Sequence, residues 1–152
     1  MGRRKYWIIL VEDSEDDLIL FEVNLRRTGL HQTFDLACHF TQGEAAIDYF
    51  QNLPRSLVRE PYPDIVFLDI KLPGCSGFDV LTRMPPLNPR PVIVVHTSSI
   101  LPEDKQKAEQ LGADLFQTKL VDPGEFSRFL QSVARLVDRR RTSDSGRGQD
   151  SM

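Results

Sequence analysis

Ile65-Val66-Phe67-Leu68 is a run of apolar residues with no polar position in it, so the strand it forms is buried on both faces. The run stops at Asp69, and Pro73-Gly74 turns the chain shortly after. Asp69 therefore lies where a buried strand surfaces into a loop. In an open parallel sheet, ligands bind beyond the carboxyl ends of the strands, which is where such a residue sits. Taken alone, Asp69 is equally a turn former or a helix cap, because aspartate is common after strands. The choice depends on how the other strands end.

Trp7 to Val11 is a second uninterrupted apolar run, and it ends on Glu12-Asp13. Ser14-x-x-Asp17 then gives a capping box, and Leu18, Phe21 and Leu25 recur at helical spacing until Thr28-Gly29 supplies the stop. Glu15, Asp16 and Asp17 suit the positive end of the helix dipole, whereas Glu12 and Asp13 precede the cap. Phe34, Leu36, Cys38 and Phe40 alternate with less apolar neighbours, which predicts a half-exposed strand with Cys38 as a small core residue. Thr41-x-x-Glu44 reads as another capping box, with Ala45, Ala46, Tyr49 and Phe50 as the buried face of a second helix. Leu53 to Tyr62 carries two prolines and mixed charge, and is a long surface connection.

Gly77 to Leu81 opens a third helix that Pro85-Pro86 ends. Val92 to Val95 is a β-branched strand leading into His96-Thr97-Ser98-Ser99, and Pro102 suits the first position of a fourth helix closed by Gly112. His96 reads as a packed or surface imidazole, because no second histidine accompanies it as a metal ligand would require. Ala113 to Thr118 is a short fifth strand followed by Lys119. Asp122-Pro123-Gly124-Glu125 is a third capping box, and Phe126, Phe129, Leu130, Val133 and Leu136-Val137 form the stripe of a final helix. Arg139 to Met152 is basic and then Ser/Gly/Asp-rich, a composition expected to be disordered, with Arg139 to Arg141 as a solvated helix end.

The pattern is strand-helix five times over, which implies an α/β fold with a parallel sheet covered on both faces. With 152 residues, 40% hydrophobic and 27% charged, one globular domain is expected, divided as an extension at 1–6, a domain at 7–138 and a tail at 139–152. A net charge of -3 favours neither nucleic acid nor an anionic membrane as partner. The widely separated Cys38 and Cys75 read as reduced thiols of a cytoplasmic protein, although pairing stays open. No apolar run is long enough for a signal peptide core or a bilayer span.

Four of the five strands end on groups with chemistry: Glu12-Asp13, Asp69, Thr97 and Lys119. In a parallel sheet these ends share one edge, so the groups can converge. Two like charges ~4 Å apart at an effective dielectric of 20 cost about 4 kcal/mol. Protonation, the Lys119 ammonium or a divalent cation relieves that repulsion. A hard dication on carboxylate oxygens, retaining water and accepting a phosphate oxygen, matches the preference of Mg2+. Carboxylates are established nucleophiles in aspartyl-phosphate chemistry, with Lys119 and the Thr97 hydroxyl available to bind phosphoryl oxygens.

Leu10-Val11-Glu12-Asp13-Ser14, Asp64 to Asp69, Leu72-Pro73-x-x-x-Gly77, His96-Thr97-Ser98 and Gly112 to Lys119 together resemble the receiver domain of two-component response regulators. The resemblance runs from about Ile8 to Val137. It implies a flavodoxin-like (βα)5 fold with strand order 2-1-3-4-5 and helices on both faces. It implies further that Asp69 is the phosphoacceptor, with Mg2+ held by Asp13 and Asp69, by Glu12 through water and by the Lys71 backbone carbonyl. Thr97 and Lys119 would bind the phosphoryl group, and Phe116 matches the family's switch aromatic, though its position alone separates that reading from a core residue. The family usually has proline after the lysine, often through a cis bond, and this chain has Leu120. A cis bond to a non-proline costs about 2.5–4 kcal/mol, so the loop is expected to be trans or strained.

The long Leu53–Tyr62 connection, Leu120 and the single-domain length resemble the small regulators paired with phytochrome-type kinases. The expected function is phosphoryl acceptance from a sensor histidine kinase, with output by binding a downstream protein or by homodimerisation through the fourth and fifth helices. The sequence shows no output domain after the receiver, so no enzymatic activity of its own is expected. Three other readings compete. A phosphatase usually has a second acid two residues after its nucleophile, where this chain has Lys71. A phosphorylation-independent binding module is at odds with the intact Glu12, Asp13, Asp69, Thr97 and Lys119 set, although Leu120 leaves room for it. A flavodoxin-like nucleotide binder would need a Gly-rich loop after the first strand, which is absent.

Overall fold

The computed structural model describes residues 5–55 and 62–150, with backbone alone described for 55 and 144–150. Five strands, β1 (Tyr6–Val11), β2 (Phe34–Phe40), β3 (Ile65–Leu68), β4 (Val92–Thr97) and β5 (Leu115–Thr118), alternate with α1 (Glu15–Arg27), α2 (Gly43–Asn52), α3 (Gly77–Arg83), α4 (Pro102–Gln110) and α5 (Pro123–Asp150). All pairs are parallel, in the order β2-β1-β3-β4-β5. This is the flavodoxin-like arrangement. Its switch point lies between β1 and β3, where the connections leave in opposite directions and open a crevice.

The unbroken apolar runs have a direct cause. Ile8 and Leu10, Ile65 and Phe67, and Val92 and Val94 face a core closed by Phe21 and Leu25 of α1 and by Phe126, Leu130 and Val133 of α5. The alternate residues Ile9 and Val11, Val66 and Leu68, and Ile93 and Val95 face a second core closed by Ala46, Ile47 and Phe50 of α2, Val80 and Leu81 of α3 and Ala108 of α4. Each central strand thus has two apolar faces because each face carries helices.

Some local expectations change. In β2, a register shift places Leu36 opposite Ile8 and Cys38 opposite Ile9, leaving Ala37 as an extra residue. This bulge sends Phe34 and Leu36 to the α1/α5 core but Cys38 and Phe40 to the other, so one alternating face becomes two. The expected Thr41 capping box does not form: Gln42 is the cap residue of α2 and makes no side-chain cap bond. The buried face of α2 is Gly43, Ala46, Ile47 and Phe50 at i, i+3, i+4 and i+7, and Ala45 is exposed. Helix α5 continues through Asp150, where composition pointed to a disordered tail. Arg140 and Arg141 are not merely solvated: they reach Asp114 and the buried Asp64, and thereby dock the helix past Asp138.

Other signals hold. Ser14 accepts from the Asp17 N–H, Asp122 accepts from the Glu125 N–H, and Pro102 opens α4. Ser76 and Asp79 form a complete reciprocal capping box at α3. The strand β5 starts at Leu115, two residues later than expected, and Tyr6 already belongs to β1. Most of the Leu53–Tyr62 connection lies outside the described residues; Leu53–Arg55 is a short 3-10 turn. No helix among the described residues is long and apolar enough to cross a membrane.

Candidate functional site

The carboxyl ends of β1 and β3 are adjacent because the strands pair in parallel with Val11 opposite Leu68. Asp69 continues that ladder, its N–H donating to the Val11 carbonyl at 3.0 Å. On the other side of β3, β4 carries Thr97, and the Lys119 N–H donates to the Thr97 carbonyl at 2.9 Å. The sheet therefore brings Glu12, Asp13, Asp69, Thr97 and Lys119 to one edge, as the sequence leads one to expect.

Asp69 is buried, and both its oxygens are occupied. Oδ1 accepts from the Lys71 N–H at 2.9 Å and from the Thr97 hydroxyl at 3.0 Å, while Oδ2 lies 2.9 Å from the Lys119 ammonium. Thr97 is fully buried, and its hydroxyl also accepts from the Ser99 N–H at 3.4 Å. Lys119 Nζ reaches two further carboxylates, Glu12 Oε1 at 2.7 Å and Asp17 Oδ2 at 2.5 Å. An ammonium has three N–H bonds, and here each has its own carboxylate.

The electrostatics follow from that one-to-three ratio. Burial pulls the Lys119 ammonium down, but hydrogen bonds to Asp17, Glu12 and Asp69 outweigh it and hold the group above its ordinary range. Glu12 is pushed up to about 7, chiefly by burial and then by the Asp69 charge, against the pull of Lys119 and of the Ser14 N–H. One cation shared among three acids keeps its proton without neutralising each of them.

Glu12, Asp13 and Asp69 each present an oxygen within 4.8 Å of the others. Three hard oxygens with excess negative charge make a donor set that fits a hard divalent cation. Lys71 is exposed and contributes its N–H to Asp69. Phe116 stands opposite Val95, half-buried against the core beneath α2, α3 and α4.

Three residues of this region were not singled out as functional by sequence. Asp17 was explained by capping and dipole, but its place one turn into α1 brings it back over Lys119. Gly77 packs so closely on the Asp69 carbonyl and the Ile70 Cα that no side chain fits there, and its N–H donates to the Ile70 carbonyl at 3.1 Å. His96 is packed, as expected, edge-on to Phe67 with ring centroids 5.6 Å apart, but its Nε2 also accepts the Leu120 N–H at 3.2 Å. The Lys119–Leu120 bond is trans; the cis bond among the described residues is Asn88–Pro89.

The family model described as "Response regulator receiver domain" matches residues 8–131. Among solved structures, the phosphorylated cyanobacterial phytochrome response regulator RcpA is 23% identical, with a TM-score of 0.64, covering 85% of this chain and 91% of its own. The Mn2+-bound form of response regulator Rcp1 is 26% identical, with a TM-score of 0.61 over 84% of this chain and 91% of its own. A CheY-like receiver domain protein from Methanospirillum hungatei is 19% identical, with a TM-score of 0.69 over 91% of this chain and 98% of its own.

Proposed function

The chain belongs to the response regulator receiver domain family, and we propose that it is a Mg2+-dependent signalling protein phosphorylated on Asp69 by a histidine kinase. The observation that carries this reading is the environment of Asp69, a buried carboxylate at the switch point with Thr97 on one oxygen and Lys119 on the other. One Asp69 oxygen attacks phosphorus as the bond from phosphorus to the donor imidazole breaks, and the electron pair leaves with the imidazole. Lys119 and Thr97 already bracket the carboxylate, so the donors they now give to its two oxygens are placed to pass to the oxygens of the arriving phosphoryl group.

Mg2+ would be held by Asp13 and Asp69, by Glu12 through water and by the Lys71 backbone carbonyl. When bound, it offsets negative charge between carboxylates and phosphoryl oxygens. The protein's own part is to hold Asp69 aimed and shielded, which the Thr97 hydroxyl, the Lys71 N–H and Lys119 do.

Output follows from Thr97. If its hydroxyl leaves Asp69 Oδ1 for the phosphoryl group, β4 and the loop after it shift, and Phe116 beside Val95 is the aromatic that takes up the vacated space. That loop exposes Ile100 at 81% and Leu101 at 55%, an apolar pair suited to a downstream protein partner. Self-association through α4 and α5 is the other form such output takes. The likeness to RcpA, a phytochrome response regulator, supports a phytochrome-type kinase as donor. The test is phosphotransfer from a phosphorylated histidine kinase, followed by borohydride reduction and peptide mapping. Homoserine at position 69 is the expected product; label on a histidine or serine instead overturns the assignment.

A further inference from the structure

Leu120 differs from the proline expected after Lys119 in one chemical respect that the structure uses: it has an N–H. That N–H donates to His96 Nε2 at 3.2 Å. His96 lies on β4 directly before Thr97 and opposite Gln117 of β5, so it reaches the end of β5 from the neighbouring strand. The preceding N–H, that of Lys119, donates to the Thr97 carbonyl at 2.9 Å. Two consecutive amides around the Lys119 Cα are therefore pinned to two consecutive residues of β4. A short strand ending in a free loop would let the lysine swing. This one has its main chain tied on both sides of the functional residue.

The imidazole is suited to the task. Its ring is wedged edge-on against Phe67, which fixes its orientation. For Nε2 to accept, the ring must be neutral with its proton on Nδ1. Burial and then the Lys119 charge push His96 down to about 4, so it remains a neutral acceptor at ordinary pH.

We propose that His96 is a positioning residue for Lys119: by accepting the Leu120 N–H it holds the trans Lys119–Leu120 peptide in place and keeps the ammonium on Asp69. This rests on the reading of Asp69 as phosphoacceptor. It assigns to His96 and Leu120, as a pair, a function that neither residue type carries alone.

The test measures the initial rate of phosphoryl adduct formation from acetyl phosphate at saturating Mg2+, together with Mg2+ affinity by calorimetry. His96→Phe keeps the ring volume but loses the acceptor, and should slow labelling roughly five- to tenfold, the effect of one lost hydrogen bond on a positioned group. Mg2+ affinity should stay close to that of the wild type, because the metal's ligands lie just beyond the ends of β1 and β3. His96→Gln, which restores an acceptor oxygen, should recover most of the rate. Leu120→Pro removes the donor, and in that background His96→Phe should add no further slowing. A His96→Phe variant that labels at the wild-type rate overturns the proposal, as does equal slowing in both backgrounds. Should His96→Phe fail to fold, nitrogen NMR of the native protein decides: a coupling between the Leu120 amide and His96 Nε2 supports the proposal, and its absence overturns it. A wild type that takes no phosphoryl group would instead remove the Asp69 reading, a result distinct from a labelled protein indifferent to His96.

Discussion

Gly77 rests against the carbonyl of Asp69, the two residues meeting so closely that a Cβ on the glycine would overlap backbone on the loop leaving β3. The start of α3 thus serves as the floor of the site. Gly77→Ala must push backbone against backbone, since no flexible side chain is there to yield. It should cost about 1–3 kcal/mol by overpacking and should slow labelling as the Asp69 loop shifts. Thermal unfolding together with adduct formation checks this. A variant of unchanged stability and rate would mean the loop has slack that the structure does not show.

Asp17 competes for the Lys119 ammonium, 2.5 Å away and on the half-exposed side of the cluster. Asp17→Asn leaves one ammonium N–H freer and removes a negative charge from the path of an incoming phosphoryl dianion. Labelling by acetyl phosphate should quicken roughly two- to fivefold at low salt, and less at high salt because the site is partly open to solvent. A slower variant would show that Asp17 orients Lys119 more than it competes for it.

The buried Glu12 contributes to the pH dependence of the metal-free protein's stability. Its native value of about 7 lies above its ordinary 4.5, mainly through burial, so the native state binds a proton more tightly than the unfolded chain. Its contribution to stability is fully present below pH 4.5 and is lost as pH rises through about 7, amounting to about 3 kcal/mol at most. In chelator, Glu12→Gln should therefore gain on the wild type as pH is raised from 5 to 8. Thermal melts at several pH values check the sign. A difference between the two proteins that does not change with pH would contradict it.

The ion pairs of Arg140 with Asp114 and of Arg141 with Asp64 place this part of α5 at the edge opposite the site. Asp64 is buried and also accepts the Trp7 N–H at 2.8 Å, so it anchors β1. Truncation after Asp138 should lower stability by about 1–2 kcal/mol, limited because both guanidinium groups are partly exposed. Labelling of Asp69 should persist, since the two regions lie at opposite ends of the strands. Unchanged stability would return the arginines to the role of a solvated helix end.

The fold and the site differ in how far local sequence carries them. Val66, Phe67 and Leu68 announce a doubly covered strand, and Glu12, Asp13, Asp69, Thr97 and Lys119 announce their edge, because each signal is local and the sheet does the gathering. Strand order came from the family resemblance. The Ala37 bulge was hidden because alternation in β2 looks regular until the partner strand sets the register. The Gln42 start of α2 was hidden because Gly43 packs closely on Cys75, a contact between distant positions that local sequence does not show. Asp17 and His96 have partners 102 and 24 residues away, and no spacing rule brings such pairs together. The docked arginines misled through composition: a basic stretch reads as solvated until Asp64 and Asp114 are seen at the same end of the sheet.

Phosphorylation of Asp69 is the central claim, and intact-mass measurement after incubation with acetyl phosphate tests it most directly. Wild type and Asp69→Asn are compared with Mg2+ and with chelator. The expected result is one phosphoryl group on the wild type in Mg2+, and none on Asp69→Asn or in chelator. A wild type that remains unmodified in Mg2+, or an Asp69→Asn variant that labels equally, would contradict the claim.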